Sequence, residues 1–168
     1  MNCNEALEKI LNSFTRYYNV KTSDVEPPFS AEAEFHAHGE KYLLVKSAHI
    51  ADIDSNEYVF FASEESLDAE RLNEIVETAW ERGISRIKPY YGHRNSDVVL
   101  FIFADGISED AVKLAKKIRR YKSYMFSIYG WSHFRLAICD CSVQKFTFNR
   151  MGKSLSKLTA KFWEPVQT

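Results

Sequence analysis

Residues 31–63 contain the pattern that most constrains the fold. From Ala31 to His38, small or aromatic residues alternate strictly with polar ones, which is typical of a strand that buries one face and leaves the other wet or functional. Gly39 predicts a tight hairpin into a more apolar strand over residues 41–50. Turn-forming residues then precede a third strand over 57–62, rich in Tyr, Val and Phe. The short links predict antiparallel neighbours.

Segments with helical periodicity lie before and after these strands. The spacing of apolar residues predicts a helix that begins at Asn2 or Asn4, a second from Ser66 or Asp68 to Arg82 with Gly83 as its stop, a third from Ser108 to about Tyr121, and a last one capped by Ser154. The run VVLFIFA, residues 98–104, predicts a central strand covered on both faces. Further strands are predicted over 124–129, 134–139 and 145–148. We therefore predict a single α/β domain of the α+β type over residues 1–168, with a mixed, mostly antiparallel sheet flanked by helices.

Charge is divided unevenly along the chain. Residues 1–85 hold 7 Lys and Arg against 17 Asp and Glu, a net charge of −10, whereas residues 86–168 hold 15 against 6, a net charge of +9. A surface polarised in this way attracts an anionic partner. The alternative is that the two halves face each other within one fold or across a homodimer.

Other classes of protein are disfavoured by simple features. No apolar run has the length of a membrane span, and the N-terminus lacks the basic start of a signal peptide, so we expect a cytoplasmic protein with no membrane partner. Three cysteines, an odd number, fit a reducing compartment rather than a disulfide framework. No GxGxxG or GxSxG motif occurs, and we expect no cofactor.

The element order helix, three strands, helix, strand resembles the core of the restriction-endonuclease-like superfamily. That resemblance implies a Mg²⁺-binding acid on the second strand and a (D/E)-x-K motif on the third in an active nuclease. In this sequence neither Asp nor Glu stands two residues before any lysine or arginine. The resemblance therefore implies the fold without the nuclease activity.

The chain as a whole also resembles an uncharacterised bacterial family of unknown function. The segments that carry this resemblance are EAEFHAHGE, DSNEYVFFA, KPYYGHRNSD and YKSYMFSIYGWSHFR. It implies no activity.

Two groups of residues are candidate metal ligands. Glu34, His36 and His38 share one strand face, and imidazole with carboxylate is a typical zinc-binding combination. Alternatively these histidines pair with neighbouring carboxylates on an exposed strand. Cys139 and Cys141 have a spacing that two metal-binding thiols can use, although buried structural cysteines are commoner, and Cys3 is interpreted as incidental near the terminus.

Two similar loops form the main candidate site. Each places aromatic, imidazole and guanidinium groups around a glycine next to a predicted strand, and these groups can stack on bases and bind phosphate. The first loop surrounds Gly92 and the second surrounds Gly130. The candidate ligand-binding residues are Lys88, Tyr91, His93, Arg94 and Asp97 at the first loop, and Tyr129, Trp131, His133 and Arg135 at the second. In the alternative interpretation the rings pack at the margin of the core and Arg94 pairs with Asp97.

The sequence thus favours a non-enzymatic protein whose basic C-terminal half contacts nucleic acid or another polyanion. One alternative is a small-molecule enzyme in which His93 or His133 acts as general acid or base and Arg94 orients an anion. Another is an interaction module that dimerises by apposing its acidic and basic faces.

Overall fold

The computed structural model describes residues 1–36, 56–89 and 95–164. The predicted Gly39 hairpin, the predicted strand over 41–50 and the loop over 90–94 lie outside the described residues.

The described residues form four α-helices, one 3-10 helix and seven strands. The helices are α1 (Cys3–Phe14), α2 (Ala69–Arg86), α3 (Glu109–Lys117) and α4 (Ser156–Thr159), with a 3-10 helix (Met151–Leu155) before α4. The strands are β1 (Asn19–Lys21), β2 (Ala31–Phe35), β3 (Asn56–Glu64), β4 (Ser96–Ala104), β5 (Tyr121–Ser123), β6 (Trp131–Asp140) and β7 (Lys145–Phe148). This confirms a single α+β domain.

The seven described strands form one mixed sheet. Its order is β1-β2-β3-β4-β6-β5, and β7 also pairs with β6. Strands β3, β4 and β6 are parallel, since α2 and α3 carry the chain back between them, while the other pairings are antiparallel. Every residue of β4 is buried, which confirms the predicted central strand.

Three helices begin at the predicted caps. The Asn2 side chain accepts a hydrogen bond from the Glu5 N–H, and the Glu5 carboxylate accepts one from the Asn2 N–H. Asp68 caps α2 through the Arg71 N–H at 2.8 Å, and Ser108 caps α3 through the Ala111 N–H at 3.1 Å. Each cap gives a partner to a backbone donor that the first helical turn leaves unpaired.

Helices cover both faces of the sheet. On the first face α1 and the C-terminal helical turns pack on odd-numbered residues of the central strands, and the Phe14 ring lies 5.2 Å from that of Phe61 and 5.8 Å from that of Phe101. On the second face α2 and α3 pack on the even-numbered residues. The two-residue alternation of each central strand therefore divides the core into two apolar layers.

The prediction that α2 stops at Gly83 is wrong. The helix continues to Arg86, and Gly83 lies buried within it. A Cβ atom at Gly83 would lie 2.5 Å from Cγ2 of Val98, so the missing side chain allows α2 to approach β4 closely. The glycine serves packing here rather than helix termination.

The C-terminal half contains two further corrections. Helix α3 ends at Lys117, not near Tyr121, and the residues predicted as a strand over 124–129 form a loop. Met125, Phe126 and Ser127 have positive φ values of 47°, 53° and 69°, which are incompatible with a strand. Ser154 does not cap the last helix, since the 3-10 helix already begins at Met151.

Asn149 fills a gap at the outer edge of β6. Strand β5 pairs with residues 131–133 of β6 and β7 with residues 137–140, so neither pairs with the stretch between. There the buried Asn149 side chain accepts hydrogen bonds from the Leu136 and Gly152 N–H groups and donates to the Phe134 and Ile118 carbonyls. One side chain thus gives partners to four backbone groups on three segments.

Candidate functional site

The first predicted loop ends beside the second. Tyr91, His93 and Arg94 lie outside the described residues, and Lys88 is exposed after the end of α2. Asn95, the first residue described after the gap, forms a parallel bridge with Trp131. The structure therefore brings the end of the first loop to the beginning of β6.

Aromatic groups lie along one face of the β5–β6 ribbon. Tyr121 pairs with His133 and Ser123 with Trp131 in the register of the two strands. The Tyr121 and His133 rings lie 5.1 Å apart. Tyr121 is 57% exposed and Trp131 37% exposed, so both rings can be reached from solvent.

Arg119 adds a cation to the same face. The Phe134 N–H donates to the Arg120 carbonyl, which continues the pairing one step beyond β5. Ile118 and Arg120 point to the opposite face, where Ile118 joins the core and Arg120 pairs with Glu77 of α2. Alternation therefore places the exposed Arg119 beside Tyr121. We call Arg119, Tyr121, Trp131 and His133 the ribbon platform.

The loop that joins β5 to β6 exposes further apolar side chains. The Tyr124 N–H donates to the Gly130 carbonyl and closes the loop, and within it the Tyr129 N–H donates to the Tyr124 carbonyl. Phe126 is 96% exposed at its tip. Tyr129, in contrast, is partly buried against the core, as in the interpretation that places it at the core margin.

Two of the predicted ligand-binding residues lie in a buried ionic network next to the platform. Nη2 of Arg135 lies 2.6 Å from Oδ2 of Asp97, and its Nη1 lies 3.3 Å from Oε1 of Glu57. The Tyr18 hydroxyl donates to Glu57 Oε2 at 2.5 Å, and the His133 N–H donates to Asp97 Oδ1 at 3.2 Å. Asp97 is fully buried. The network joins β3, β4 and β6 below the exposed residues.

Burial changes the titration of this network. Desolvation raises the pKa of Glu57, while the Arg135 charge and the Tyr18 hydrogen bond oppose that rise and the Asp97 charge adds to it. The pKa of Tyr18 is raised well above its ordinary value by burial and by the nearby Glu57 charge. Tyr18 therefore remains a hydrogen-bond donor at neutral pH.

The sequence did not identify Glu57 and Tyr18 as residues of this network. Glu57 is the acid that begins the apolar run EYVFFA, and an ionisable residue at a buried strand position is a signal for a buried partner. Tyr18 gives no comparable local signal, because its partner is 39 residues away in sequence.

The predicted metal ligands that the structure describes interact with other side chains. Nε2 of His36 lies 3.4 Å from Glu34 Oε2, and Nη1 of Arg86 lies 3.7 Å from Glu34 Oε1. This is the arrangement of the alternative interpretation, in which histidine pairs with a carboxylate. His38 lies outside the described residues, and within the described ranges no group of three or more His, Cys, Asp or Glu residues is arranged to hold a metal ion.

The polar face of β2 is not open to solvent at Glu32. That residue is buried beneath α2, and Oε2 of its carboxylate lies 2.8 Å from Nη2 of Arg86. The expectation of a wet face fails there because α2 brings Arg82 and Arg86 over the strand.

In the parts of the chain that the structure describes, no helix combines the length and apolar character of a membrane span.

Comparison with known proteins identifies the family. The family model described as Domain of unknown function (DUF8052) matches residues 2–161. The chain belongs to this family. No curated protein and no solved structure matches it significantly. Because membership in DUF8052 assigns no activity, the function has to be argued from the site.

Proposed function

We propose that this DUF8052 protein binds single-stranded nucleic acid on the ribbon platform. The observation that carries the proposal is the placement of two exposed aromatic rings, an imidazole and a guanidinium on one face of an edge ribbon. Aromatic faces stack on unpaired bases, and arginine binds phosphate.

The surroundings of the platform are free of acidic residues in sequence. No Asp or Glu occurs between Asp110 and Asp140. Among the exposed cations of this segment, Arg119 lies on the platform face, whereas Lys113, Lys116 and Lys117 of α3 and Lys122 of β5 lie on the opposite side of the sheet. Among the described residues, none of these five cations forms an ion pair. Their charge is therefore available to a polyanion.

The aromatic groups favour a single strand over a duplex. Stacking on a side chain requires an exposed base face, which a paired and stacked duplex does not offer, and each stacked base contributes about 1–3 kcal/mol. Phe126, in the loop that joins β5 to β6, is a further exposed ring. The phosphates of a duplex would interact with the lysines, but its paired bases would not stack on the aromatic rings.

The resemblance to restriction-endonuclease-like cores supports a nucleic-acid partner without nuclease activity. The two acids on the neighbouring strands β3 and β4 that lie nearest the platform are Glu57 and Asp97, and both interact with Arg135. That pairing opposes their use as Mg²⁺ ligands, because the positive guanidinium already neutralises the negative charge of the carboxylates.

The test is fluorescence anisotropy with labelled single-stranded DNA and RNA at several salt concentrations. We expect binding that weakens with salt, and a loss of affinity of about tenfold or more in a Tyr121→Ala, Trp131→Ala variant. The control is Val143→Ala, which removes an exposed apolar side chain from the turn between β6 and β7, at the end of β6 away from the platform, and thermal unfolding verifies that each variant folds.

Three outcomes would reject the proposal. The first is the absence of salt-sensitive binding to either single strand. The second is equal affinity for duplex or heparin and single strands with no effect of the aromatic substitutions, since that result describes a general polyanion surface. The third is preferential binding to anionic lipid vesicles, which would assign the exposed Phe126 loop to a membrane surface.

A further inference from the structure

The three cysteines of the chain converge at the carboxyl ends of the parallel strands. Cys3 begins α1, Cys139 lies in β6 and Cys141 follows the end of that strand. All three are buried in the same apolar cluster between α1 and the sheet. The sequence places Cys3 136 residues before Cys139, so the cluster exists only in the folded chain.

Backbone and side-chain contacts fix Cys3 over the strand ends. Its N–H and its thiol both donate to Asp105 Oδ1, at 3.2 Å and 3.0 Å, and its sulfur lies 3.5 Å from the Glu64 carbonyl. The Cys141 N–H donates to the Ala104 carbonyl at 2.8 Å, which holds Cys141 beside the end of β4. The first turn of α1 and the end of β6 thus meet at the same place.

The three thiols differ in electrostatic environment. The Cys141 thiol lies 4.0 Å from the Cys139 carbonyl. Interaction with Cys141 raises the pKa of Cys139, and interaction with Cys139 and Cys3 lowers the pKa of Cys141. Burial raises the pKa of Cys3, and its hydrogen bond to Asp105 adds to the rise. Cys3 and Cys139 thus both interact with Cys141, which places the three side chains together.

A surface cavity gives access to this cluster. It has a volume of about 360 Å³ and is lined by residues 2–4, residues 63–65 and Asp105. Cys3 is one of the lining residues, so a small molecule in the cavity approaches Cys3 from the side of α1.

We propose that Cys3 and Cys141 form a disulfide by exchange with a small-molecule disulfide. Cys3, which lines the cavity, loses its proton and attacks one sulfur of the small disulfide, and the other sulfur leaves as a thiolate. Cys141 then loses its proton and attacks the Cys3 sulfur, which expels the second small thiolate. The two protein thiols are oxidised, the small disulfide is reduced, and the two protein protons end on the two released thiols.

The bond would connect the beginning of α1 to the end of β6. Cross-linking two positions so far apart in sequence restricts the unfolded chain, so the oxidised protein should unfold at a higher temperature than the reduced one. The disulfide would have no direct contact with the ribbon platform, whose residues lie at the opposite end of β6.

The test is oxidation of the reduced, folded protein by glutathione disulfide, followed by alkylation in denaturant and tryptic mapping without reduction. We expect a loss of about 2 Da before alkylation and a cross-link between peptides 1–9 and 136–145. Peptide 136–145 contains both Cys139 and Cys141, so variants have to separate them. Cys139→Ser should keep the cross-link, whereas Cys3→Ser and Cys141→Ser should each abolish it.

Three results would overturn the proposal. One is a bond between Cys139 and Cys141, and another is a stable mixed disulfide with glutathione that Cys141 does not resolve. The third is a wild-type protein whose thiols react only after denaturant is added. Mapping of the wild-type protein distinguishes these three results, and the variants are needed only to separate Cys141 from Cys139 as the partner of Cys3.

Discussion

Arg135 of β6 places its guanidinium 2.6 Å from the carboxylate of Asp97, a fully buried residue of the neighbouring strand β4. The same guanidinium reaches Glu57 of β3, so one cation joins the three parallel strands. Both buried carboxylates pair with this cation, and Tyr18 supplies a neutral donor to Glu57. The stability of the domain should therefore depend strongly on Arg135.

Removal of the Arg135 charge tests that dependence. We expect Arg135→Met to lower the free energy of unfolding by about 3–5 kcal/mol, because two buried carboxylates would lose the guanidinium that pairs with both of them. Denaturant titration measures the loss. Arg71→Met is the control, since Arg71 forms a more exposed pair with Glu64 and its loss should cost less than about 1 kcal/mol. Equal effects of the two substitutions would contradict the expectation.

The raised pKa of Glu57 predicts a pH dependence. The folded protein holds the Glu57 proton more tightly than the unfolded chain, so this residue contributes stability below the ordinary glutamate pKa of 4.5, and that contribution falls as pH rises towards the raised folded value. Glu57→Gln removes the titration. Thermal unfolding from pH 4 upward should therefore show the variant gaining stability relative to the wild type as pH rises. A difference that stays constant with pH would show that Glu57 does not titrate in this way.

Asn149 should be indispensable to the outer edge of β6. Asn149→Ala leaves the Leu136 N–H and the Phe134 carbonyl without their buried partner, and we expect a loss of about 3 kcal/mol in the free energy of unfolding. Chemical denaturation measures it. The exposed Asn73 of α2 provides the control, since Asn73→Ala should change stability by less than about 0.5 kcal/mol. A loss as small as that of the control would refute the role of Asn149.

Gly83→Ala should destabilise the protein although alanine is the better helix former. Propensity alone would favour the variant by about 1 kcal/mol, but the new methyl would overlap Val98, and overpacking costs about 1–3 kcal/mol. The double variant Gly83→Ala, Val98→Ala should recover part of the loss relative to Val98→Ala alone. If Gly83→Ala is more stable than the wild type, the close approach of α2 to β4 is not a constraint.

Arg119 should control the salt dependence of nucleic-acid binding. On the ribbon platform its guanidinium is placed to contact phosphate, so Arg119→Gln should reduce the slope of log affinity against log salt by about 0.7. Anisotropy titrations over a range of salt concentrations provide the slope. Lys21→Gln removes an equally exposed charge from β1, at the other edge of the sheet, and should leave the slope unchanged. Equal changes in both variants would indicate that net charge, not the platform, governs binding.

Local patterns gave a good account of the elements of the fold. The alternation in residues 31–35, the apolar run of β4 and the cap residues Asn2, Asp68 and Ser108 all describe the observed structure, because each depends on interactions within a few residues. The aromatic loop over 124–129 was predicted as a strand for the same reason. Its residues have high strand propensity, but hydrogen bonds between Tyr124, Tyr129 and Gly130 close it into a loop.

The sequence by itself determined most of the element types, the caps of α1, α2 and α3, and the burial of β4 on both faces, since periodicity and capping are local properties of the chain. Tertiary structure decided which charged groups are buried together, why Gly83 is required, and that Cys3 meets Cys139 and Cys141. It also decided that Asn95 reaches Trp131. These relationships join residues far apart in sequence, and they arise only when strand order and helix placement bring the segments into contact.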